Sequence, residues 1–269
     1  TDPAAVETAW RTADPQAVIH LAARAGVRPS LADPAGYSRV NVEGTLRMLE
    51  QARSRPGVRF VFASSSSVYG DRAGGPFRES DPTDTPFSPY AATKKSGELL
   101  CATYHQLYGM AITCLRFFTA YGPRNRPDLA VAKFARLIER GEPVPVYGDG
   151  TTRRDYTFID DIVEGVVRAA ARSQGFAVYN LGNETPVPLS ELVELLGEAL
   201  GKTPHVERQP PQPGDVRHTW ADISRARADL GYEPATPLSE GLRRFVGWYR
   251  AEGEWRSRLP HLRREGVMS

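Results

Sequence analysis

The chain has 269 residues, 41% hydrophobic and 25% charged, with a formal net charge of +2. This is ordinary globular composition at a length that buries a sizeable core, as one α/β domain or one large domain with a smaller lobe. The basic residues are scattered, so nucleic-acid binding gains no support, and no apolar run approaches a membrane span.

No signal peptide is visible, and Cys101 and Cys114 have neither metal-ligand spacing nor a disulfide framework. Reduced thiols in a cytoplasmic protein are expected, with no metal site. Asp2-Pro3 reads as an N-cap and first helical residue ahead of Val6 and Trp10. An opening inside a helical pattern is expected of a piece cut from a longer protein.

Ala17-Val18-Ile19-His20-Leu21 predicts a fully buried parallel strand, followed by the small residues Ala22 and Ala23 and a polar loop. Asp33-Pro34 starts a helix reaching about Arg53, with Asn41 among its apolar positions; the amide is either a satisfied core group or a hydrogen-bond donor to a cofactor or loop. Val58 to Ala63 is the next strand, and Ser64 to Ser67 sit at its carboxyl end. A long loop, Tyr69 to Ser88, leads to a helix from Pro89 to Gly109, and Ala111 to Phe118 is a third strand. Alternating helices and strands predict right-handed crossovers and a doubly wound parallel sheet.

From Asp128 the pattern becomes mixed. Helices are predicted near Leu129–Arg140, Ile159–Arg172, Leu189–Leu200, Asp222–Leu230 and Leu238–Arg250, and strands at Val144–Tyr147, Arg153–Phe158 and Val178–Asn180. A Pro-rich loop covers Gln209 to Gly214, and the basic tail from about Glu252 is expected to be loose.

The stretch from Ser64 to Lys94 carries chemistry. Tyr90 and Lys94 are four apart on one helix and share a face. A phenol ionises near pH ~10, and a neighbouring ammonium favours the phenolate, which makes Tyr90 a usable base. Y-x-x-x-K alone also fits an ordinary amphipathic surface. The serines at the end of the preceding strand, where α/β sheets bind ligands, favour the catalytic reading.

Seven segments in order resemble the extended short-chain dehydrogenase/reductases, and among them the NAD-dependent nucleotide-sugar epimerases and dehydratases. They are His20-Leu21-Ala22-Ala23, Asn41 to Thr45, Ser64 to Gly70, Tyr90 to Lys94, Leu115 to Gly122, Arg153 to Asp161 and Asn180-Leu181-Gly182. The likeness is strongest to the UDP-glucuronate 4-epimerases. Sugar dehydratases of the superfamily carry an Asp-Glu pair where this chain has Ser66 and Ser67, and UDP-glucuronate decarboxylases carry a Glu there. Thr119 and Arg126 match the residues that handle the sugar carboxylate, for which a planar guanidinium is suited. Gln212 to Val216 also follows the glucuronate group. The ordinary readings are a turn hydroxyl for Thr119, a surface ion pair for Arg126 and plain loop for Gln212.

The resemblance implies a Rossmann-type sheet with a smaller substrate lobe, divided as 1–127 and 128–269, with segments of the second part returning to the sheet. It implies that Ser65, Tyr90 and Lys94 are catalytic, with Lys94 lowering the tyrosine pKa and holding the nicotinamide ribose. Ala22, Asn41, Lys94 and Phe117 fall on the cofactor side. Ser66 and Ser67 would line the hexose pocket, Val146 and Tyr147 cradle uracil, Arg154 pair with the UDP phosphates, and Asp215 reach the uridine ribose. NAD and a UDP-sugar are the implied ligands, and a homodimer through the helices at 34–53 and 89–108 is the family expectation. A UDP-glucose/galactose or N-acetylhexosamine 4-epimerase is the alternative enzyme, and a non-catalytic UDP-sugar-binding remnant is the alternative of another class.

The chain departs from the family in lacking G-x-x-G-x-x-G, the phosphate-binding turn of the first βα unit. Two βα units, roughly 60 residues, are therefore expected upstream of Thr1. The 269-residue chain alone is expected to expose a sheet edge and bind NAD poorly.

Overall fold

The computed structural model describes residues 2–72, 74–210 and 216–257, the side chains of 253–257 excepted. Helix α1 (Pro3–Ala13) opens it, with the Asp2 carboxylate accepting from the Ala4 and Ala5 amides. Strand β1 (Ala17–His20) follows, then α2 (Val27–Ala32), α3 (Pro34–Ser38), a π turn (Arg39–Glu43) and α4 (Gly44–Arg53). Strand β2 (Arg59–Ser65) passes into a 3-10 turn (Ser66–Tyr69), and a long loop leads to α5 (Pro89–Tyr108) and β3 (Ile112–Phe117). Next come β4 (Thr119–Tyr121), α6 (Ala130–Arg140), β5 (Val144–Tyr147), β6 (Arg153–Phe158), α7 (Ile159–Arg172) and β7 (Phe176–Leu181). The chain finishes with β8 (Pro186–Pro188), α8 (Leu189–Leu200), β9 (Val206–Gln209), α9 (Ser224–Leu230) and α10 (Leu238–Ser257).

The main sheet has strand order β1-β2-β3-β7, all parallel. Its two-residue side-chain period sorts the apolar residues to two faces. Phe60, Phe62, Ile112 and Cys114 join Trp10, Leu49 and Cys101 under α1, α4 and α5. Val61 and Leu115 join Ile162, Val166, Leu181 and Tyr232 on the α7 side. This is the doubly wound α/β arrangement expected from the alternation of elements. A third core, built from α6, α8 and α10, includes Phe134, Leu137, Leu192, Leu196 and Phe245 and supports the small β4-β6-β8 and β5-β9 sheets.

Several expectations need correction. β1 is not fully buried: it forms the expected exposed edge, pairing with β2 alone among the described residues, and its Ile19 is 42% exposed. The helix expected over 34–53 contains a π turn at Asn41, and such turns cluster at functional sites. Elements α2, β4, β8 and β9 occupy stretches whose short, polar or Pro-containing sequences show no clear periodicity. Helix α10 continues to Ser257, past the expected start of a loose tail.

Helix α5 lies unusually close to β2. Gly97 faces the Phe62 ring, where an added Cβ would come within 2.2 Å of Cζ. The missing side chain lets the helix carrying Tyr90 and Lys94 approach the strand carrying Ser65.

Candidate active site

Strand β2 delivers Ser65 at the carboxyl edge of the sheet, opposite Phe117 of β3. Ser65 caps the 3-10 turn: its Oγ accepts from the Ser67 amide at 3.2 Å and from Ser67 Oγ at 3.0 Å. With both lone pairs occupied, the Ser65 hydroxyl retains its proton for donation. Ser67 was expected to line the hexose pocket, but its hydroxyl is turned toward Ser65; Ser66 beside it is half-buried.

Ser88 Oγ accepts from the Ala91 amide at 3.1 Å, and Pro89 occupies the first turn of α5. Tyr90 therefore enters the cleft from a capped helix end. Burial pushes its phenol upward, while hydrogen bonding from Ser65 and the charge of Arg126 pull the other way. Tyr37 stands edge-on to the ring, with centroids 6.2 Å apart.

Lys94 is buried one turn further on. Its Nζ donates to the Ala63 carbonyl at 2.6 Å and stands 6.0 Å from the centre of the Tyr90 ring. Burial lowers its pKa to about 8. The family resemblance implies that this lysine depresses the tyrosine; in the structure the opposing groups are Ser65 and Arg126, and burial prevails. His20 stays neutral, lowered to about 4 by burial and by the Lys94 charge. Thr45 gives its hydroxyl proton to the Asn41 carbonyl at 2.6 Å, so His20 Nε2, 3.1 Å away, is the donor between them.

Asn41 does not offer a free amide to a cofactor. Its Oδ1 accepts from the Arg24 amide at 2.8 Å, and its Nδ2 donates at 3.0 Å to both the Arg24 carbonyl and Thr93 Oγ1. It holds the loop after β1 against α5. Ala22 is exposed in that loop, and Phe117 packs partly into the core on the α7 side.

Arg126 forms a two-point ion pair with Asp128, Nε to Oδ1 at 3.0 Å and Nη2 to Oδ2 at 2.5 Å, and donates to the Ala25 carbonyl at 3.2 Å. Tyr37 donates to the same carbonyl at 3.0 Å. Thr119 is half-buried on β4, in register with Tyr156. Val146 is buried in the third core and cannot present its side chain to a ligand, whereas Tyr147 is partly exposed with the Arg28 guanidinium 5.5 Å from its ring centre. Arg154 donates to the Arg153 carbonyl at 2.8 Å and the Arg217 carbonyl at 3.5 Å. Its neighbour Asp155 serves the backbone instead, accepting from the Asn183, Glu184 and Ala221 amides at 2.7, 3.1 and 3.0 Å. Asp215 and Gln212 lie outside the described residues.

Sequence reasoning did not single out Tyr37, Glu98 or Arg116. Glu98 was detectable, since it continues the four-residue spacing of Tyr90 and Lys94; Tyr37 carried no local signal.

A parallel sheet ending in a hydroxyl cluster, faced by a helix carrying tyrosine and lysine, defines the Rossmann-type short-chain dehydrogenase/reductase class. The match to the GDP-mannose 4,6-dehydratase family model covers residues 1–245, and the chain belongs to that family. A UDP-glucuronate 4-epimerase of Thermodesulfobacterium geofontis is 44% identical over 245 residues, spanning 91% of this chain and 75% of the relative. The crystal structure of the Bacillus cereus UDP-glucuronic acid 4-epimerase, in complex with UDP-glucuronic acid and NAD, superimposes with a TM-score of 0.87 at 34% identity, covering 94% of this chain and 81% of that one. The Thermotoga maritima UDP-glucose 4-epimerase with UDP-glucose gives a TM-score of 0.88 at 33% identity, covering 93% and 82%. The fold and these relatives place the chain among the nucleotide-sugar 4-epimerases.

Proposed function

We propose that the protein interconverts UDP-glucuronate and UDP-galacturonate through a transient 4-keto sugar. The observation that carries this reading is the placement of Arg126, which shares the Ala25 carbonyl with Tyr37, the ring edge-on to Tyr90, in a site where Ser66 and Ser67 replace the carboxylates of a dehydratase. Tyr90 takes the proton from the C4 hydroxyl, and Ser65, left with only a proton to give, donates a hydrogen bond to the same oxygen. After the 4-keto sugar turns in the site, Tyr90 returns the proton to the C4 oxygen, while the hydride would come back to the opposite face of C4. Thr119 and Arg126 bind the carboxylate, Tyr147 packs on uracil and Arg154 meets the phosphates.

NAD, when bound, supplies a reversible acceptor for the C4 hydride. The residues fit its nicotinamide–ribose end. Lys94 is an ammonium with three protons, one of them given to Ala63, at the carboxyl edge of a parallel sheet. Ala22 leaves room at the strand end. Asn41 acts on this region through the Arg24 loop. Residues 1–127 would carry this cofactor region and residues 128–269 mainly the UDP-sugar lobe. On this reading the protein works in the cytoplasm as a homodimer through the outer faces of α4 and α5, where Leu46, Leu99 and Leu107 are exposed.

The second reading, a UDP-glucose/galactose or N-acetylhexosamine 4-epimerase, draws on the Thermotoga maritima likeness. A non-catalytic UDP-sugar binder would have no use for a half-buried tyrosine and a buried lysine beside an oriented serine. The test is epimerisation by the protein expressed from its full coding sequence, with NAD and each UDP-sugar in turn. UDP-glucuronate should be converted preferentially, and Arg126→Ala should weaken it selectively; equal loss on neutral sugars would favour the second reading.

A further inference from the structure

Beneath Ser65 lies an ion pair that no proton-transfer step uses. Glu98 and Arg116 are each 3% exposed, and Arg116 is bound at two points, Nε to Oε1 and Nη2 to Oε2, both at 2.9 Å. Ser64 Oγ donates to the same Oε1 at 2.6 Å. Arg116 Nη1 continues to Tyr69 Oη at 2.9 Å and the Glu79 carbonyl at 3.3 Å, and Tyr69 donates to Asn180 Oδ1 at 2.7 Å. Lys95, 3.8 Å from Glu98, is the other charge facing it.

A buried ion pair is a poor source of stability, because desolvation consumes much of the Coulombic gain and apolar replacements are often as stable. Its location therefore needs another explanation. Ser64 is in register with Arg116, one residue before Ser65. Glu98 lies four residues beyond Lys94 and eight beyond Tyr90, on the same face of α5. The carboxylate thus joins β2, β3 and α5 at the layer under the reacting groups, and does so with directional bonds that apolar packing would not provide.

We infer that Glu98, held by Arg116, is a positioning residue that clamps Ser64 and thereby fixes Ser65 against Tyr90. The inference rests on Ser65, Tyr90 and Lys94 being the catalytic set. Ser64→Ala removes one hydrogen bond and leaves the ion pair, and Glu98→Gln keeps the shape while removing the charge. Should Glu98→Gln fail to fold, Ser64→Ala carries the test alone.

The measurements are kcat and KM for the converted UDP-sugar, the pH profile of kcat, the phenolate absorbance titration of the ligand-free protein against Tyr90→Phe, and Tm. For the folded variants, kcat should fall between about tenfold and a hundredfold with KM nearly unchanged. The ascending limb of kcat and the Tyr90 titration should both move to higher pH, because a displaced Ser65 no longer stabilises the phenolate. An unchanged kcat, or a loss of kcat with both pH curves in place, would overturn the inference, since the second is what a general fold defect gives. Tyr90→Phe serves as the control: undiminished turnover there would remove the underlying catalytic assignment, whereas an inactive Tyr90→Phe beside a normal Ser64→Ala removes only the clamp.

Discussion

Lys94 Nζ donates to the Ala63 carbonyl at 2.6 Å, which anchors the cation of α5 to the strand that presents Ser65. The bond also keeps an ammonium in a buried place, and burial lowers its pKa to about 8 from the ordinary 10.5. Between those values the unfolded chain binds more protons than the folded one, so this group's contribution to stability rises with pH through that window. At neutral pH the buried charge is a cost. Lys94→Met should therefore raise Tm of the ligand-free protein at pH 7, and the gain should close as pH rises from about 8 toward 10.5. Turnover should be lost in the same variant. Thermal melts across pH check the first outcome, and an epimerisation assay checks the second.

Gly97→Ala should push α5 away from β2. The new Cβ would stand 2.2 Å from Cζ of the buried Phe62 ring. Overpacking of this kind costs about 1–3 kcal/mol, and activity should fall by more than the stability loss explains because Tyr90 and Lys94 move with the helix. Denaturant unfolding and kcat, measured together, test the pairing of effects.

Ser67→Ala removes both the direct contact to Ser65 Oγ and the restriction on where the Ser65 proton points. The amide of residue 67 still caps Ser65, so the fold should hold. The expected result is a loss of about tenfold in kcat, less than the roughly 10²–10⁴-fold worth of a proton-transfer group itself because Ser67 acts only through Ser65. Wild-type kcat in the variant would show that Ser67 serves only the sugar pocket.

Asp155→Asn places an amide NH2 among backbone donors. Asp155 is fully buried and accepts from Asn183, Glu184 and Ala221, which tie the turn after β7 to the segment that follows His218. Leaving at least one buried donor unpaired costs about 1–3 kcal/mol. Urea unfolding should show that loss, and binding of UDP, measured by calorimetry, should weaken as the strand that carries Arg154 loses its anchor.

How far the chain explains itself differs between scaffold and site. The parallel sheet was legible because apolar runs alternating with helical periods have few other solutions, and the Tyr90–Lys94 spacing was legible because a helix places such residues on one face. Ser65 was legible from its place at a strand end. The exposed edge at β1 followed from the family resemblance; β8 and β9 were not legible, being too short for a period to emerge. The direction of the Tyr90 pKa was decided by burial, against the pull of Ser65 and of Arg126, which is distant along the chain. Asn41 and Ser67 could be named from sequence as polar groups in suggestive places, but their hydrogen-bond partners decide what they do. The sequence by itself determined the parts and their order. Only tertiary structure decided which polar groups face the cleft and which are consumed in holding it, because that depends on partners brought together from different strands and helices.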